Sequence, residues 1–201
     1  INDIELLSEL KTLLFTRYRI KYLEIIDRQI SLDITSAMKN VTFAETLELA
    51  IDRTDEELFK IFKPDCRNFI RQFEKRGAKI EIAEPDAKFA KDYYEQLTEV
   101  FAKQGMRPTY KIEKVVKLLN RLSSADMVLC LRVRDPEGRS IATSIFPGYN
   151  KRFFFWGGAS YRSGQSYRPN EYMIWTAIKY WRDRGIPVFD MMGVRDYKRK
   201  F

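Results

Sequence analysis

The sequence predicts a mixed α/β domain, and three observations carry that prediction. Two amphipathic runs, Ala90, Tyr94, Leu97 and Phe101, then Ile112, Val115, Val116, Leu119 and Leu122, each keep apolar residues on one helical face. Three strand-like runs follow, at 127–134, 141–148 and 151–158. The turn signals "DPEG" and "GYNK" separate them, so they form an antiparallel meander. Pro169 near the start and Gly185 past the end then frame a helix whose Ile174, Ala177, Ile178 and Trp181 share one face; "PVFDMMG" after it reads as a short buried strand. A chain of 201 residues is long enough to bury the core this arrangement needs.

The earlier elements follow the same logic. Leu6, Leu7, Leu10 and Leu13 or Leu14 recur at helical spacing, whereas "RYRIKYLEII", residues 17–26, alternates like a strand. Residues 1–41 hold few partners for one another and read as a connector or the remnant of a preceding lobe; residues 42–201 read as the main domain. "AETLELAID", residues 44–52, is a strand candidate. Thr54 with Glu57 three residues later forms a capping box for the next helix. That helix breaks at Pro64 and resumes with Cys66, Phe69, Ile70 and Phe73 on one face until Gly77. "AKIEIAE" returns as a strand. The chain starts at Ile1 and stops inside the basic "DYKRKF", which reads as a piece of something longer.

Composition narrows the chemistry. The sequence has no histidine, so His-based metal sites and Ser-His or Cys-His nucleophile pairs are excluded, and no metal site is expected. No apolar stretch approaches the roughly 20 residues that span a membrane. The two cysteines, Cys66 and Cys130, fall on a helix face and a strand, which points to reduced thiols and a cytoplasmic setting. A net charge of +8 favours anionic partners such as phosphates, nucleic acid or nucleotide-linked substrates.

The stretch "FFFWGGAS" raises the sharpest question, because a strongly apolar strand ends on Gly157 and Gly158. Glycine there reads in two ways. With Ala159, Ser160 and Tyr161 it gives an edge whose backbone N–H groups bind an anion, a carbonyl or the amides of a donor or acceptor chain, and the glycines are small because that chain lies against them. Alternatively the glycines form a bulge or let a neighbouring element approach. Arg67, Arg71 and Lys75 make a cationic stripe opposite the apolar face of their helix, either a solvated face or a track for a tRNA stem or a pyrophosphate. Asp190, ending an apolar strand, is either a working carboxylate or a buried structural acceptor. Glu171, in the first turn of its helix, reads as a surface residue that answers the helix dipole.

Taken in order, "CRNFIRQFEKRGAKIEI", "GRSIATSIFPGYNKRFFFWGGAS", "RPNEYMIWTAIKYWRDRGIPVFDMMG" and "YKRKF" resemble the FemABX-type peptidoglycan bridge-forming transferases, within the GNAT acetyltransferase-like superfamily. The resemblance implies a GNAT-like domain in which helices pack a central antiparallel meander. It implies acyl or aminoacyl transfer to an amine in bacterial cell-wall or surface-polymer synthesis, with aminoacyl-tRNA or acyl-CoA as donor substrate. A nucleotide-linked or lipid-linked cell-wall precursor would be the acceptor. Tyr197 and Lys198 match the family's aromatic-lysine pair near the transfer centre, which makes Lys198, Tyr197 and Asp190 the candidate catalytic residues. Gly157, Gly158, Ala159, Ser160, Tyr161, Arg67 and Arg71 are the candidate substrate-binding set. The sequence departs from the acyl-CoA users at one point: "YRSGQSYRPN" lacks the R/Q-x-x-G-x-G/A that cradles a pyrophosphate. Two rival readings stand beside this one, an acyl-CoA-dependent N-acyltransferase acting on a sugar or small-molecule amine, and a non-catalytic basic nucleic-acid-binding module.

Overall fold

The computed structural model describes residues 4–23, 32–36 and 40–201. They fall into two units, 1–44 and 45–201. In the first, helix α1 (Ile4–Thr12) runs into a π-helical turn, Leu13–Arg17, and a short α2 spans Leu32–Ser36. The strand expected at 17–26 does not form over the described residues 17–23. Tyr18 N donates to Leu13 O and Ile20 N to Leu14 O, so the turn that ends the preceding helix takes up backbone donors a strand would need. Residues 24–26 lie outside the described residues.

The second unit follows from period-two alternation in one central strand. In β3 (Val128–Arg134), Leu129, Leu131 and Val133 point into one apolar layer while Val128 and Cys130 point into another. One layer is built by α3 (Asp55–Ile61), α4 (Pro64–Lys75) and α7 (Pro169–Arg182), the other by α5 (Ala87–Ala102) and α6 (Ile112–Ser123). Between them lie β1 (Glu48–Ala50), β2 (Lys79–Ile82), β3, β4 (Ser140–Tyr149), β5 (Arg152–Phe154), β6 (Gly157–Ser160) and β7 (Val188–Asp190). The sheet order is β1-β7-β5-β4-β3-β2, with β6 pairing β4. All pairings are antiparallel except β5 with β7. The mixed α/β class and the meander therefore hold.

Local signals placed several boundaries. Thr54 Oγ1 accepts from Glu57 N at 3.2 Å and Glu57 Oε2 from Thr54 N at 2.8 Å, completing the capping box. Pro64 opens α4 at a position where a missing N–H costs nothing. Two details differ from the sequence reading. On α5 it is Tyr93, one residue before the expected Tyr94, that is fully buried. The third meander strand is broken: Phe155 N donates to Asp190 O at 2.9 Å on one side and Trp156 N to Ile145 O at 3.2 Å on the other. This bulge divides the run into β5, which pairs β7, and β6, which leaves it.

Candidate active site at a splayed strand edge

The bulge at Phe155 and Trp156 creates the site. β5 is flanked on both sides, by β4 and β7, but β7 pairs no further than Asp190 and then turns away, Met191 N donating to Leu47 O at 2.9 Å. β6 pairs with β4 alone. Its register, with Tyr161 N donating to Ile141 O at 3.0 Å, sends the N–H groups of Gly157, Ala159 and Tyr161 toward β4. By alternation the N–H and C=O groups of Gly158 and Ser160 point to the opposite edge.

The glycines answer the question raised by the sequence in a way that corrects the substrate-room explanation. A Cβ on Gly157 would collide with the hydroxyl of Tyr93 on α5, and one on Gly158 would sit 2.7 Å from Ser144 Oγ and 2.9 Å from Phe155 Cζ. Side-chain packing on both faces of the strand requires their smallness; the edge groups of Gly158 and Ser160 are a separate feature. Ala159 is buried in the α5 and α6 layer, and Ser160 is also buried.

The predicted catalytic residues gather on the other side of Phe155. Lys198 lies in a short 3₁₀ turn, Asp196–Lys198, and is buried, so it is not a basic tail. Its Nζ donates to Met191 O at 2.5 Å, Met192 O at 3.1 Å and Gly193 O at 3.4 Å, and stands 5.4 Å from the centre of the Phe155 ring. Burial lowers its pKa from the ordinary lysine value, Arg195 adding to the effect and Asp190 opposing it. Tyr197 flanks the ammonium at 5.7 Å with its ring half exposed, and burial raises its phenol pKa. Asp190 is 2% exposed; its Oδ1 accepts from Thr46 Oγ1 at 2.5 Å and Met192 N at 2.8 Å, the arrangement of a buried structural acceptor. It shapes the turn in which Met192 and Gly193 take positive φ and present their carbonyls to Lys198.

Arg67 and Arg71 are on α4, and Arg71 lies over Phe59 at 5.9 Å, not among the residues around Lys198. The link from α4 to the C-terminal segment is made by residues the sequence reading did not single out. Lys63 N donates to Lys200 O at 2.8 Å, Phe62 meets Phe201 edge-on at 5.3 Å, and Lys200 lies over Phe69. Lys200 ion-pairs with Glu171, which is buried instead of lying on the surface, because residues 196–201 fold back over the start of α7. The only available signal was a lysine at position 200 and a glutamate in a first helical turn, which sequence separation kept apart.

Pyrophosphate cradling is answered by the same helix start. Residues 162–167 form a 3₁₀ turn whose Gly164 packs on Ile141, α7 begins at Pro169 without a side-chain cap, and its first turn holds the Glu171 carboxylate. The Lys200 ammonium that could meet a pyrophosphate there is already paired with this carboxylate. Both cysteines are free and buried, their thiols pushed up to about 12 by desolvation, which leaves them unreactive. Among the described residues no group of three or more Cys, Asp and Glu is placed to hold a metal, and no helix is long and apolar enough to cross a membrane.

Comparison with known proteins bears on the fold that carries this geometry. The acetyltransferase (GNAT) domain family model matches residues 60–199. No curated protein matches the sequence. Among solved structures, FemX superposes with a TM-score of 0.68 at 18% identity, over 75% of this chain and 53% of FemX. A domain assigned as the C-terminal part of a lysylphosphatidylglycerol synthetase from Agrobacterium fabrum gives 0.55 at 12% identity, over 77% and 48%. L-PGS from Bacillus licheniformis gives 0.51 at 10%, over 74% and 44%. The chain thus spans about half the length of each, and the shared feature is the fold.

Proposed function

The chain belongs to the acetyltransferase (GNAT) domain family, and from that premise we propose that it transfers an aminoacyl group from aminoacyl-tRNA to the amine of a bacterial cell-wall or surface-polymer precursor. One observation carries the reading: Phe155 touches both the unpaired edge of β6 at Gly158 and the Lys198 ammonium, while the Lys200 ammonium at the start of α7 is taken up by Glu171. The fold likeness to FemX supports it. Residues 42–201 hold the transfer site, residues 1–41 connect it to a preceding lobe, and the setting is the cytoplasm, where the donor is made.

The chemistry then divides among few groups. The acceptor amine attacks the ester carbonyl of the donor; the carbonyl π electrons move to oxygen, and the C–O bond to the tRNA ribose breaks as the tetrahedral intermediate collapses. The amide groups of Gly158 and Ser160 hold the aminoacyl chain in line, as in an added strand. Lys198 stabilises the oxyanion or protonates the departing ribose oxygen, and in the second case the proton lost by the attacking nitrogen restores its ammonium. All three of its N–H donors face carbonyls at rest, so a substrate oxygen replaces the longest of these contacts, the 3.4 Å one to Gly193 O. Its lowered proton affinity suits it to give up a proton. Tyr197 walls the carbonyl from water, and Asp190 is a positioning residue that fixes the turn.

Incubation of the protein with radiolabelled aminoacyl-tRNA or acetyl-CoA, each with peptidoglycan precursors, tests the donor. Amide product from the tRNA arm alone is expected; product from acetyl-CoA alone would overturn the reading. Lys198→Met should bind donor with near-normal affinity and lose about 10²-fold or more in turnover. Full turnover with weakened, less salt-sensitive binding would make Lys198 a phosphate anchor instead.

A further inference from the structure

We propose that the outward face of α6 and the loop before it bind the phosphate backbone of an RNA strand, whose end lies in the pocket beside Tyr110. The proposal rests on the aminoacyl-tRNA reading above and adds to it a surface. Between Phe101 and Ala125 the sequence holds six cations, Lys103, Arg107, Lys111, Lys114, Lys117 and Arg121, against one acid, Glu113. Val115 and Leu119 turn the apolar side of α6 into the core, which leaves Lys111, Lys114, Lys117 and Arg121 exposed on the outer side at spacings of three, three and four. At a rise of 1.5 Å per residue the stripe is about 15 Å long, about four steps of a stacked strand at about 3.4 Å each.

Among the described residues the charges of this stripe are available, as are those of Arg67, Arg71 and Lys75 on α4, whereas Lys103 is paired with Glu99; what sets the stripe apart is the cavity at its start. Arg132, Arg134, Arg139, Arg152, Arg182 and Lys200 are all held by carboxylates. Among the described residues Arg107, Lys111, Lys117 and Arg121 make no ion pair, and Lys114 lies over the Tyr110 ring at 5.6 Å. Unpaired cations in a row on a rigid helix are the footprint of a polyanion.

Where the stripe leads matters equally. Arg107, Lys111, Tyr94, Thr98 and Tyr110 line a cavity of about 520 Å³ at its start, where a base that displaced Lys114 would stack on the Tyr110 ring. Tyr110 stands 5.3 Å from the ring of Trp156, and its hydroxyl is 2.8 Å from that of Tyr93, the group packed against Gly157. An RNA end in this pocket is therefore one side chain from β6. A membrane surface fits less well, since insertion needs an apolar side turned outward and the apolar side of α6 is in the core.

The test uses an unacylated RNA hairpin with a single-stranded 3′ end, fluorescently labelled and titrated with the protein by anisotropy between about 50 and 200 mM salt. The exposed triple variant Lys114→Gln, Lys117→Gln, Arg121→Gln should melt like the parent and raise Kd at least about tenfold at low salt. Its salt slope should fall by about two to three, since each phosphate contact contributes about 0.7 to 0.9. The variant Arg67→Gln, Arg71→Gln, Lys75→Gln on α4 should bind as the parent does. Unchanged binding by the α6 variant, or loss confined to the α4 variant, would overturn the proposal. So would a parent protein that ignores RNA but binds phosphatidylglycerol vesicles through the α6 lysines. RNA binding through α6 without any transfer leaves this surface standing and removes the transferase reading; full aminoacyl transfer by the α6 variant does the reverse.

Discussion

The two layers that flank the sheet hold the same strand edge by different means. On the α4 and α7 side, the 196–201 segment is held by Phe201 edge-on to Phe62, itself edge-on to Trp175, and by the ion pair of Lys200 with the buried Glu171, while Phe73 stacked on Tyr172 joins the two helices. On the α5 and α6 side an apolar layer that includes Phe89, Leu97, Val115 and Leu119 carries polar pairs within it. Tyr93 bonds Tyr110, Thr143 bonds the buried Gln96, and Arg132 joins Glu81 of β2 to Asp92 of α5. Both sides hold a charge cluster within the protein, Lys200 with Glu171 on one and Arg132 with Glu81 and Asp92 on the other; they differ in that the first folds the C-terminal segment over the start of α7, whereas the second has an open cavity at the start of α6.

That contrast can be broken most sharply at Glu171. Replacing it with Gln leaves the half-buried Lys200 without its counter-charge, which should cost about 2–4 kcal/mol in a denaturant titration, less than for a fully buried pair, with loss of order in residues 196–201. A change below about 1 kcal/mol would mean that the aromatic contacts alone hold the segment. The opposite side is expected to be softer. Gly157→Ala forces Tyr93 aside and should cost about 1–3 kcal/mol, part of which Tyr93→Phe recovers in the double variant. Additive losses in that cycle would show that the glycine answers to something other than the tyrosine.

The smallest expected effect sharpens the picture of the Arg132 hub. Hydrogen bonds from Arg134 first, then Arg132, hold the Glu81 carboxyl below its ordinary pKa. The folded state therefore binds this proton less readily than the unfolded chain, and the stabilisation is complete above the unfolded value near about 4.3. It is lost as pH falls through the lower folded value. Because Glu81 is more than a third exposed, the effect should stay below about 1 kcal/mol. Thermal melts of the parent and Glu81→Gln between about pH 6 and pH 3 should converge at the acid end, since both side chains are then uncharged. Parallel curves would remove Glu81 from the hub.

Local physics made much of this legible in the sequence. The capping box at Thr54, Pro64 and Pro169 at helix starts, and the faces of α4, α6 and α7 depend on residues within one or two turns of one another, so the chain alone determined them. The apolar run at 153–156 likewise announced a buried strand, and the glycines after it announced a close approach. What approaches was settled only when α5 brought Tyr93, from 64 positions earlier, against Gly157. The break at Phe155 depends on β7 reaching Asp190 and no further, and the burial of Lys198 depends on a turn held open by Thr46 and Asp190, 144 residues apart. Tertiary structure likewise decided which of two similar cationic stripes stands beside an open cavity. Spacing along a helix places a charge on a face, but only packing determines what that face meets.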